Sequence, residues 1–592
     1  MAAESSKPIQ EVLSFPILFA DRVIKSAREA ESFKPENSEL ARQATALSQL
    51  LRSAALLTSA SAAVYDRPIR RMSVDVTKTL DRALTLARKC RHRRTNVLHH
   101  VLSITTAADF KKVSNLLDSS LADVRWVLSI FRTDSDNGTI TLTLPPFAST
   151  DPILAWVWAC VAAVHSGRAD AARQLAVLAA GNDRTKTIAV EENGIPPLLK
   201  MLKESGNVDA QSAAATALCN LADHHRAAIE TIVDAGGVHV IVKALAEVPM
   251  AAQVTLVNLI SRMLESDAEC RDEFGKENVT LPLVQLLCVD VDLGDFKELN
   301  NNLHSLVEVN KTMMKLNGIH ILDGSKHQCN KKDKDRESEP PEIRLALKES
   351  CASALWRLAR GSSSNSKKIT ETKALLVLAK IVDMENTADL KKNCMKVVME
   401  LAAVAERDSE LKRAAFKPSS TATKVVLDQL LRVIDEESDP ALVVPAVMAI
   451  GCLATMFSAK EKRIVKSLVA QLGNRQPDVA AEATKALCKF VRDTNYNRKA
   501  HSEAIIEFGG VPKIMNLMRR NDRSHLHELV LLCNLATNAG DSKVLEQAHA
   551  LVVLEGAARH AVAQNPALRE LFTKAIHQLT IYQAGAHVHR QV

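Results

Sequence analysis

The sequence contains few aromatic, glycine and proline residues. Aromatics make up 3% of its 592 residues and Gly and Pro number 19 each, whereas Ala and Leu dominate an apolar share of 47%. This composition is typical of helices rather than of sheets, so we expect an all-α protein. The chain is also too long for one ordinary core, which predicts several domains or a stacked array.

Long hydrophobic runs and clustered cysteines are missing as well. No stretch reaches the roughly 18 apolar residues that a membrane span needs, and the apolar run at 12–20 lies between Glu11 and Asp21 without a basic segment before it. Eleven cysteines are scattered singly, without the spacing of a zinc site. We expect a cytoplasmic protein with no metal and no cofactor.

Motifs of enzyme chemistry are absent too. The sequence holds no G-x-G-x-x-G, G-x-x-x-x-G-K-[ST], G-x-S-x-G or H-E-x-x-H pattern. The nearest approach is HLHELVLL, where Leu531 stands in place of a second histidine after His527 and Glu528. His224 and His225 are adjacent but have no Cys or carboxylate at ligand spacing, which favours exposed loop residues. We predict no catalytic residues, no small-molecule substrate and no enzyme activity.

What the sequence does contain is a repeat. The letters LCNLA occur at 218–222 and again at 532–536, and related apolar positions recur between and around them at intervals of 37 to 52 residues. A fixed interval is expected when each unit buries the same face against its neighbour. The ten anchor positions are Leu178, Leu221, Ile260, Val307, Leu358, Leu401, Leu453, Phe490, Leu535 and Leu579.

A second element repeats in phase with the first. It reads VEENGIPPLLKML at 190–202, VDAGGVHVIVKAL at 233–245 and IEFGGVPKIMNLM at 506–518. We expect Gly194, Gly237 and Gly510 to take the left-handed backbone that ends one helix, and Pro196 and Pro512 to lie in the first turn of the next. Turns of this kind between helices, recurring at this interval, are the armadillo pattern, which predicts about ten units over 153–582.

The domain organisation follows from where this period begins and stops. Residues 9–131 show helical patterns at 9–31, 38–64, 73–91 and 109–131 without it, which predicts a helical bundle. We therefore predict an N-terminal domain at 1–140, a linker at 141–152, a right-handed armadillo α-solenoid at 153–582 with a polar insertion at about 311–342, and a tail at 583–592. Residues 1–133 carry 21 Lys and Arg against 13 Asp and Glu, a net +8, whereas the remainder is close to neutral.

Four segments carry a resemblance to a known family. VYDRPIRRM at 64–72, LDRALTLARKC at 80–90, NDRTKTIAVEENG at 182–194 and ALWRLARG at 354–361 resemble plant proteins that join a helical N-terminal domain of unknown function to armadillo repeats. Related members are the plant "armadillo repeat only" proteins, which are implicated in polarised tip growth with Rho-type GTPases and their regulators. The resemblance implies a protein-binding scaffold in plant signalling or polarised growth, with such GTPases or regulators as partners.

In this fold the last helix of each unit lines a groove. Nuclear-import receptors built on it place a Trp four residues before an Asn in successive repeats. The six positions that correspond to the Asn hold Asn220, Arg357, Glu400, Cys452, Lys489 and Asn534. The positions four residues earlier hold Thr216, Ser353, Lys396, Met448, Lys485 and Val530. None of the latter is Trp, so import of basic cargo is disfavoured. The candidate groove residues are Thr216, Asn220, Ser353, Arg357, Lys396, Glu400, Lys485, Lys489, Val530 and Asn534. Lys485 and Lys489 suit an acidic partner segment or form a plain solvated face, and Trp356 is predicted to lie in the core.

A basic surface on the N-terminal domain is the second candidate site. Its members are Arg67, Arg70, Arg71, Lys89, Arg91, Arg93 and Arg94. They suit contact with anionic lipid or an acidic protein, a structural or solvated helix end, or nuclear targeting; nucleic-acid binding is disfavoured because no aromatic residues are interleaved. We predict a non-enzymatic protein-binding scaffold, cytoplasmic and peripheral at the plasma membrane. The alternative is a nuclear adaptor associated with transcription or ubiquitin transfer.

Overall fold

The computed structural model describes residues 7–60, 65–90, 106–131, 151–204, 206–289, 291, 339–372, 374–384, 387–520 and 525–590. These residues form helices and turns and contain no strand, which confirms the all-α prediction. The chain divides into two compact units, Met1–Ser266 and Asp267–Val592. Each unit is a stack of helices around its own buried apolar residues.

The first unit begins with a bundle of four helices. They are α1 (Ile9–Arg28), α2 (Lys34–Ala60), α3 (Arg67–Lys89) and α4 (Ala107–Phe131). Helix α1 packs on α2 and α3, and α4 packs on the same two helices. Helix α3 begins six residues earlier than its pattern predicts, because Pro68 fits the first turn of a helix instead of breaking it. Leu13, Leu47, Leu80 and Leu117 contribute to the shared core.

Three repeats complete the first unit. Repeat 1 consists of α5 (Pro152–His165) and α6 (Ala169–Ala179), repeat 2 of α7 (Asp183–Glu191), α8 (Ile195–Lys203) and α9 (Val208–Ala222), and repeat 3 of α10 (Arg226–Asp234), α11 (Gly237–Leu245) and α12 (Met250–Ser266). The last helices α6, α9 and α12 pack in sequence on one another. Asp151, at the end of the predicted linker, caps α5 by accepting a hydrogen bond from the Ile153 N–H at 3.0 Å.

The described residues of the second unit form six repeats. Repeat 4 consists of α13 (Ala268–Lys276), α14 (Thr280–Leu287) and α15 (Pro341–Ala359), and repeat 5 of α16 (Ser363–Glu371), α17 (Ala374–Met384) and α18 (Ala388–Arg407). Repeat 6 consists of α19 (Ser409–Ala415), α20 (Thr421–Glu436) and α21 (Pro440–Cys452), and repeat 7 of α22 (Lys462–Gln471) and α23 (Pro477–Val491). Repeat 8 consists of α24 (Arg498–Glu507), α25 (Gly510–Arg520) and α26 (Leu526–Asn538), and repeat 9 of α27 (Lys543–Gln547), α28 (Ala550–Gln564) and α29 (Arg569–Arg590). Helix α29 extends into the segment expected as a tail.

The predicted insertion separates the second and third helices of repeat 4. Residues 292–338, which include Val307 and most of 311–342, lie outside the described residues, but α14 packs directly on α15. Pro341 opens α15 rather than belonging to the insertion, since proline is tolerated at the first helical position. Every other predicted anchor lies on the last helix of a repeat, or in the case of Leu453 one residue beyond it.

The turn between first and second helices differs from the prediction by one residue. The left-handed residue is Asn193, Gly236 or Gly509, with φ of 61°, 70° and 74°, and not the glycine that follows. Gly237 and Gly510 instead begin the second helix where it crosses the first. A Cβ on either would lie 2.6 Å from the Cγ2 of Ile232 or Ile505, so the close approach of two helices requires these glycines.

Candidate protein-binding face

We call the last helix of every repeat its third helix, including repeats 1 and 7, in which two helices are described. Third helices stack on one another within each unit, so their solvent-facing sides form a continuous strip. In the second unit this order is α15, α18, α21, α23, α26 and α29. We call the strip the third-helix face. The ten groove residues predicted from the sequence lie on these helices or on α9, and their surroundings decide which of them a partner can reach.

In the first unit, Asn220 joins two third helices. Its Nδ2 donates to the Ala176 carbonyl of α6 at 3.0 Å, and Asn220 is half-buried. Thr216, one turn earlier, is exposed, and its hydroxyl donates to the Ser212 carbonyl at 2.9 Å. Asn220 therefore holds neighbouring repeats together, while Thr216 faces solvent.

At the junction of repeats 4 and 5, two cations lie against Trp356. The Arg357 guanidinium carbon is 5.3 Å and the Lys396 Nζ 4.5 Å from the centre of the indole ring, a cation–π geometry. Arg357 also donates to the Ser353 hydroxyl. Trp356 is half-buried here and not in the core as predicted. Burial raises the pKa of the nearby Glu400 carboxyl, and the positive charge of Arg360 offsets this only in part.

Helix α21 of repeat 6 differs from the other third helices in composition. Its sequence PALVVPAVMAIGC contains no charged side chain, hydroxyl or amide. Even so, Ala441 is exposed and Val444 and Met448 are half-buried, so one side of this apolar helix faces outward. Val444, Met448 and Cys452 follow one another at four-residue spacing, which places them in one row along the helix.

Lysine and glutamate residues lie beside the end of that row. Lys489 Nζ on α23 is 2.6 Å from Glu406 Oε2 on α18 and 3.3 Å from the Cys452 sulfur. Burial would raise the pKa of Glu406, but the hydrogen bond and charge of Lys489 outweigh it and lower that pKa. One turn earlier, Lys485 pairs with Glu482 of its own helix at 2.6 Å. Both lysines predicted to suit an acidic partner thus have a carboxylate neighbour within the chain.

In repeat 8 the second LCNLA segment makes different contacts from the first. Asn534, in the second LCNLA, is 8% exposed and donates to the Val530 carbonyl of its own helix at 2.9 Å; Val530 itself is half-buried. The prediction that Asn534 lines the groove is therefore wrong. Asn538, four residues later, takes the role of Asn220 by donating to the Val491 carbonyl of the preceding third helix at 2.9 Å.

The predicted basic surface is partly used inside the first unit. Arg67 donates to the Glu191 carbonyl, Arg70 pairs with Asp66 at 2.7 Å, and Arg71 lies 3.6 Å from Glu192 and stacks over Trp158 at 5.8 Å. The contacts of Arg67 and Arg71 hold the start of α3 against repeats 1 and 2, whereas the Arg70–Asp66 pair is local to α3. Lys89 is exposed at the end of α3, and Arg91, Arg93 and Arg94 lie outside the described residues.

Tyr65 belongs to the same junction. Its hydroxyl donates to the Glu192 carbonyl at 3.0 Å, and its ring stacks on His165 with 5.5 Å between centroids. The Tyr65 side chain is buried, and burial, followed by the charge of Glu192, raises its pKa. The spacing of the sequence gave no signal for this contact, because the two partners are more than 120 residues apart.

Helix α1 presents an apolar patch to solvent. Phe15 and Leu18 are 54% and 57% exposed, and Leu56 of α2 is 71% exposed. Arg22 lies over the Phe19 ring at 5.9 Å, and Lys25 follows on the exposed side of α1. Apolar side chains next to cations are typical of a surface that contacts anionic lipid.

Neither a metal centre nor a membrane span is found in the part of the chain that the structure describes. No group of three or more His, Cys, Asp or Glu residues there has the geometry to hold a metal ion, and no described helix is both long and apolar enough to cross a bilayer. His225 instead caps α10, with Nδ1 accepting from the Ala228 N–H at 3.2 Å.

Comparison with known proteins identifies parts of the chain. Residues 10–132 match the domain of unknown function DUF7792, and residues 182–223, which correspond to repeat 2, match the armadillo/beta-catenin-like repeat. A search of curated proteins gives no match.

Solved structures are also similar to this chain. An engineered protein from a structural genomics consortium has 20% identity and a TM-score of 0.49, with 73% of this chain and 99% of that chain covered. A computationally designed armadillo repeat protein for modular peptide recognition and a designed armadillo repeat protein in complex with the peptide (KR)4 each have 18% identity and a TM-score of 0.35, covering 50% of this chain and 99% of theirs. The chain thus carries an N-terminal DUF7792 domain and an armadillo repeat within an all-α solenoid.

Proposed function

We propose that this protein is a non-enzymatic scaffold that binds a protein segment on the third-helix face of repeats 5 to 7. The observation that carries the proposal is α21, an apolar helix with Val444 and Met448 on its outward side. An apolar strip with charged neighbours is the usual composition of an interface centre and its rim. The methionine side chain adapts to different partner surfaces.

The neighbouring helices supply the rim. Lys396 lies on one side of α21 and Lys485 and Lys489 on the other, with carboxylates among them. Burying one leucine of a partner against Val444 and Met448 would contribute about 1.5–3 kcal/mol, equivalent to roughly 10- to 100-fold in affinity. An apolar side chain therefore supplies affinity and the charges select orientation.

The N-terminal domain has a separate role in the proposal. The exposed Phe15 and Leu18 of α1 and the adjacent cations support contact with an anionic membrane surface. A cytoplasmic location, peripheral at the plasma membrane, is part of this proposal. Rho-type GTPases and their regulators in plant polarised growth are the proposed partners; this choice rests on the resemblance of the segments quoted above.

Selection of peptides from a random phage-displayed library on the full chain tests the binding face. We expect selected peptides to share an apolar residue and to bind Met448→Lys at least tenfold more weakly, as a charge in the apolar strip removes that contact. Val552→Lys, at a 66% exposed position on α28, is the matched control and should bind like the wild type. Equal binding to Met448→Lys and wild type would place the partner elsewhere.

A further inference from the structure

The contact between Lys489 and Glu406 crosses an entire repeat. Glu406 lies on the third helix of repeat 5 and Lys489 on that of repeat 7, and their 2.6 Å ion pair passes over Cys452 of repeat 6. Gly451 and Cys452 are small enough to let the two side chains meet above them. Ordinary pairs on this face, such as Lys485 with Glu482, join residues three apart on one helix.

The pair is also partly withdrawn from water. The side chains of Lys489 and Glu406 are 26% and 30% exposed, so their attraction is screened less than that of a surface pair. Lys489 has three N–H donors: one points to Glu406 and one to the Cys452 sulfur. A carboxylate from a partner can therefore replace Glu406 with little change in charge.

We propose that Lys489 is the carboxylate-binding point of the third-helix face and that Glu406 occupies it when no partner is bound. The partner is then a protein segment with an acidic side chain close to an apolar one: the apolar residue packs on Val444 and Met448, and the acid meets Lys489 at the end of the same row. This inference rests on the proposed function and adds the chemical class of the partner.

Glu406 affects how tightly an acidic partner segment binds at Lys489. Because a partner carboxylate must replace Glu406, its net contribution in the wild type is small and apolar contact provides most of the affinity; without Lys489, the charge of Glu406 would repel the partner's acid. A basic segment gains nothing at Lys489 and is repelled there. Removing the Glu406 carboxylate while keeping Lys489 should therefore strengthen the binding of acidic segments specifically.

Two synthetic probes separate these effects. The acidic probe is a fluorescein-labelled 12-residue peptide of Glu and Ser with two central Leu residues, and the neutral probe replaces each Glu by Gln. Fluorescence anisotropy at fixed salt compares wild type, Glu406→Gln, Lys489→Gln and the matched control Glu482→Gln, with circular dichroism melting to verify that each variant folds.

We expect Glu406→Gln to bind the acidic probe about tenfold more tightly than wild type and Lys489→Gln about tenfold more weakly. Glu482→Gln should change little, and the neutral probe should distinguish none of the variants. An acidic probe that binds wild type with an affinity unchanged or weakened in Glu406→Gln overturns this inference and leaves the proposed function standing. If neither probe binds wild type or Glu406→Gln, the proposed function fails together with it.

Discussion

Gly451 lies where the third helices of repeats 6 and 7 are in close contact, and replacing it by alanine tests that contact. A Cβ at this position would lie 2.9 Å from the Ala486 Cβ and 3.0 Å from its Cα, whereas carbon atoms in favourable contact are about 3.5–4.0 Å apart. The two helices would have to separate by several tenths of an ångström. Overpacking of this kind costs about 1–3 kcal/mol.

Alanine also favours helix formation, which reduces the loss. The gain is at most about 1 kcal/mol and smaller here, because Gly451 is the second-last residue of α21. We therefore expect Gly451→Ala to lower the free energy of unfolding by about 1–2 kcal/mol. The displaced helix α23 should also weaken binding of any segment held at Lys489, whose Cδ lies 3.8 Å from the added methyl group.

Urea unfolding followed by circular dichroism measures the effect. Gly556→Ala is the matched control, since Gly556 lies in the interior of α28 with nothing within 4 Å of an added Cβ; it should stabilise by about 0.5–1 kcal/mol. If Gly451→Ala is as stable as Gly556→Ala, the two third helices are not packed as closely as described.

Three other predictions follow from individual contacts. Tyr65→Phe removes the hydrogen bond to the Glu192 carbonyl and should destabilise the first unit by about 1 kcal/mol in thermal melts. Tyr496→Phe, at a 97% exposed site, should have no effect. If Tyr65→Phe melts at the same temperature as the wild type, the hydrogen bond between Tyr65 and Glu192 does not stabilise the first unit. Burial and the charge of Asp75 raise the pKa of Asp123 to about 7, and its Oδ1 lacks a hydrogen-bond partner. In the folded protein Asp123 therefore resists ionisation, and the free energy of unfolding decreases as pH rises towards 7. Asp123→Asn should stabilise the protein more at pH 8 than at pH 5 in urea titrations. An equal gain at both pH values would refute this. Leu18→Asp should reduce sedimentation with anionic phosphatidylserine vesicles several-fold, and Val552→Asp should not; retained binding of Leu18→Asp would exclude the α1 patch.

Much of the fold could be predicted because helix formation is encoded locally. Apolar spacing located the four bundle helices, and repeated anchors such as Leu221 and Leu401 lie on third helices as expected. Boundaries were less accurate where proline was involved: Pro68 and Pro341 begin helices, since the first turn tolerates a missing N–H. Domain boundaries remain predictions.

The site was harder to predict because its contacts join distant residues. The two LCNLA copies are identical in sequence, yet Asn220 reaches the preceding repeat and Asn534 bonds within its own helix. The Lys489–Glu406 pair spans 83 residues, and no local pattern encodes such a distance. The absence of polar residues from α21 was visible in the sequence; only the structure shows that this apolar helix has an outward side.

Site-specific photo-crosslinking with a library-selected peptide shows whether the outward side of α21 is the binding surface. A photoreactive amino acid is placed at position 448 on α21 in one protein and at position 552 on α28 in another, and crosslinked products are mapped by mass spectrometry. We expect the peptide to crosslink from position 448 and not from position 552. Crosslinking from 552 with none from 448 would contradict this expectation, because the apolar strip of α21 would then not be the binding surface.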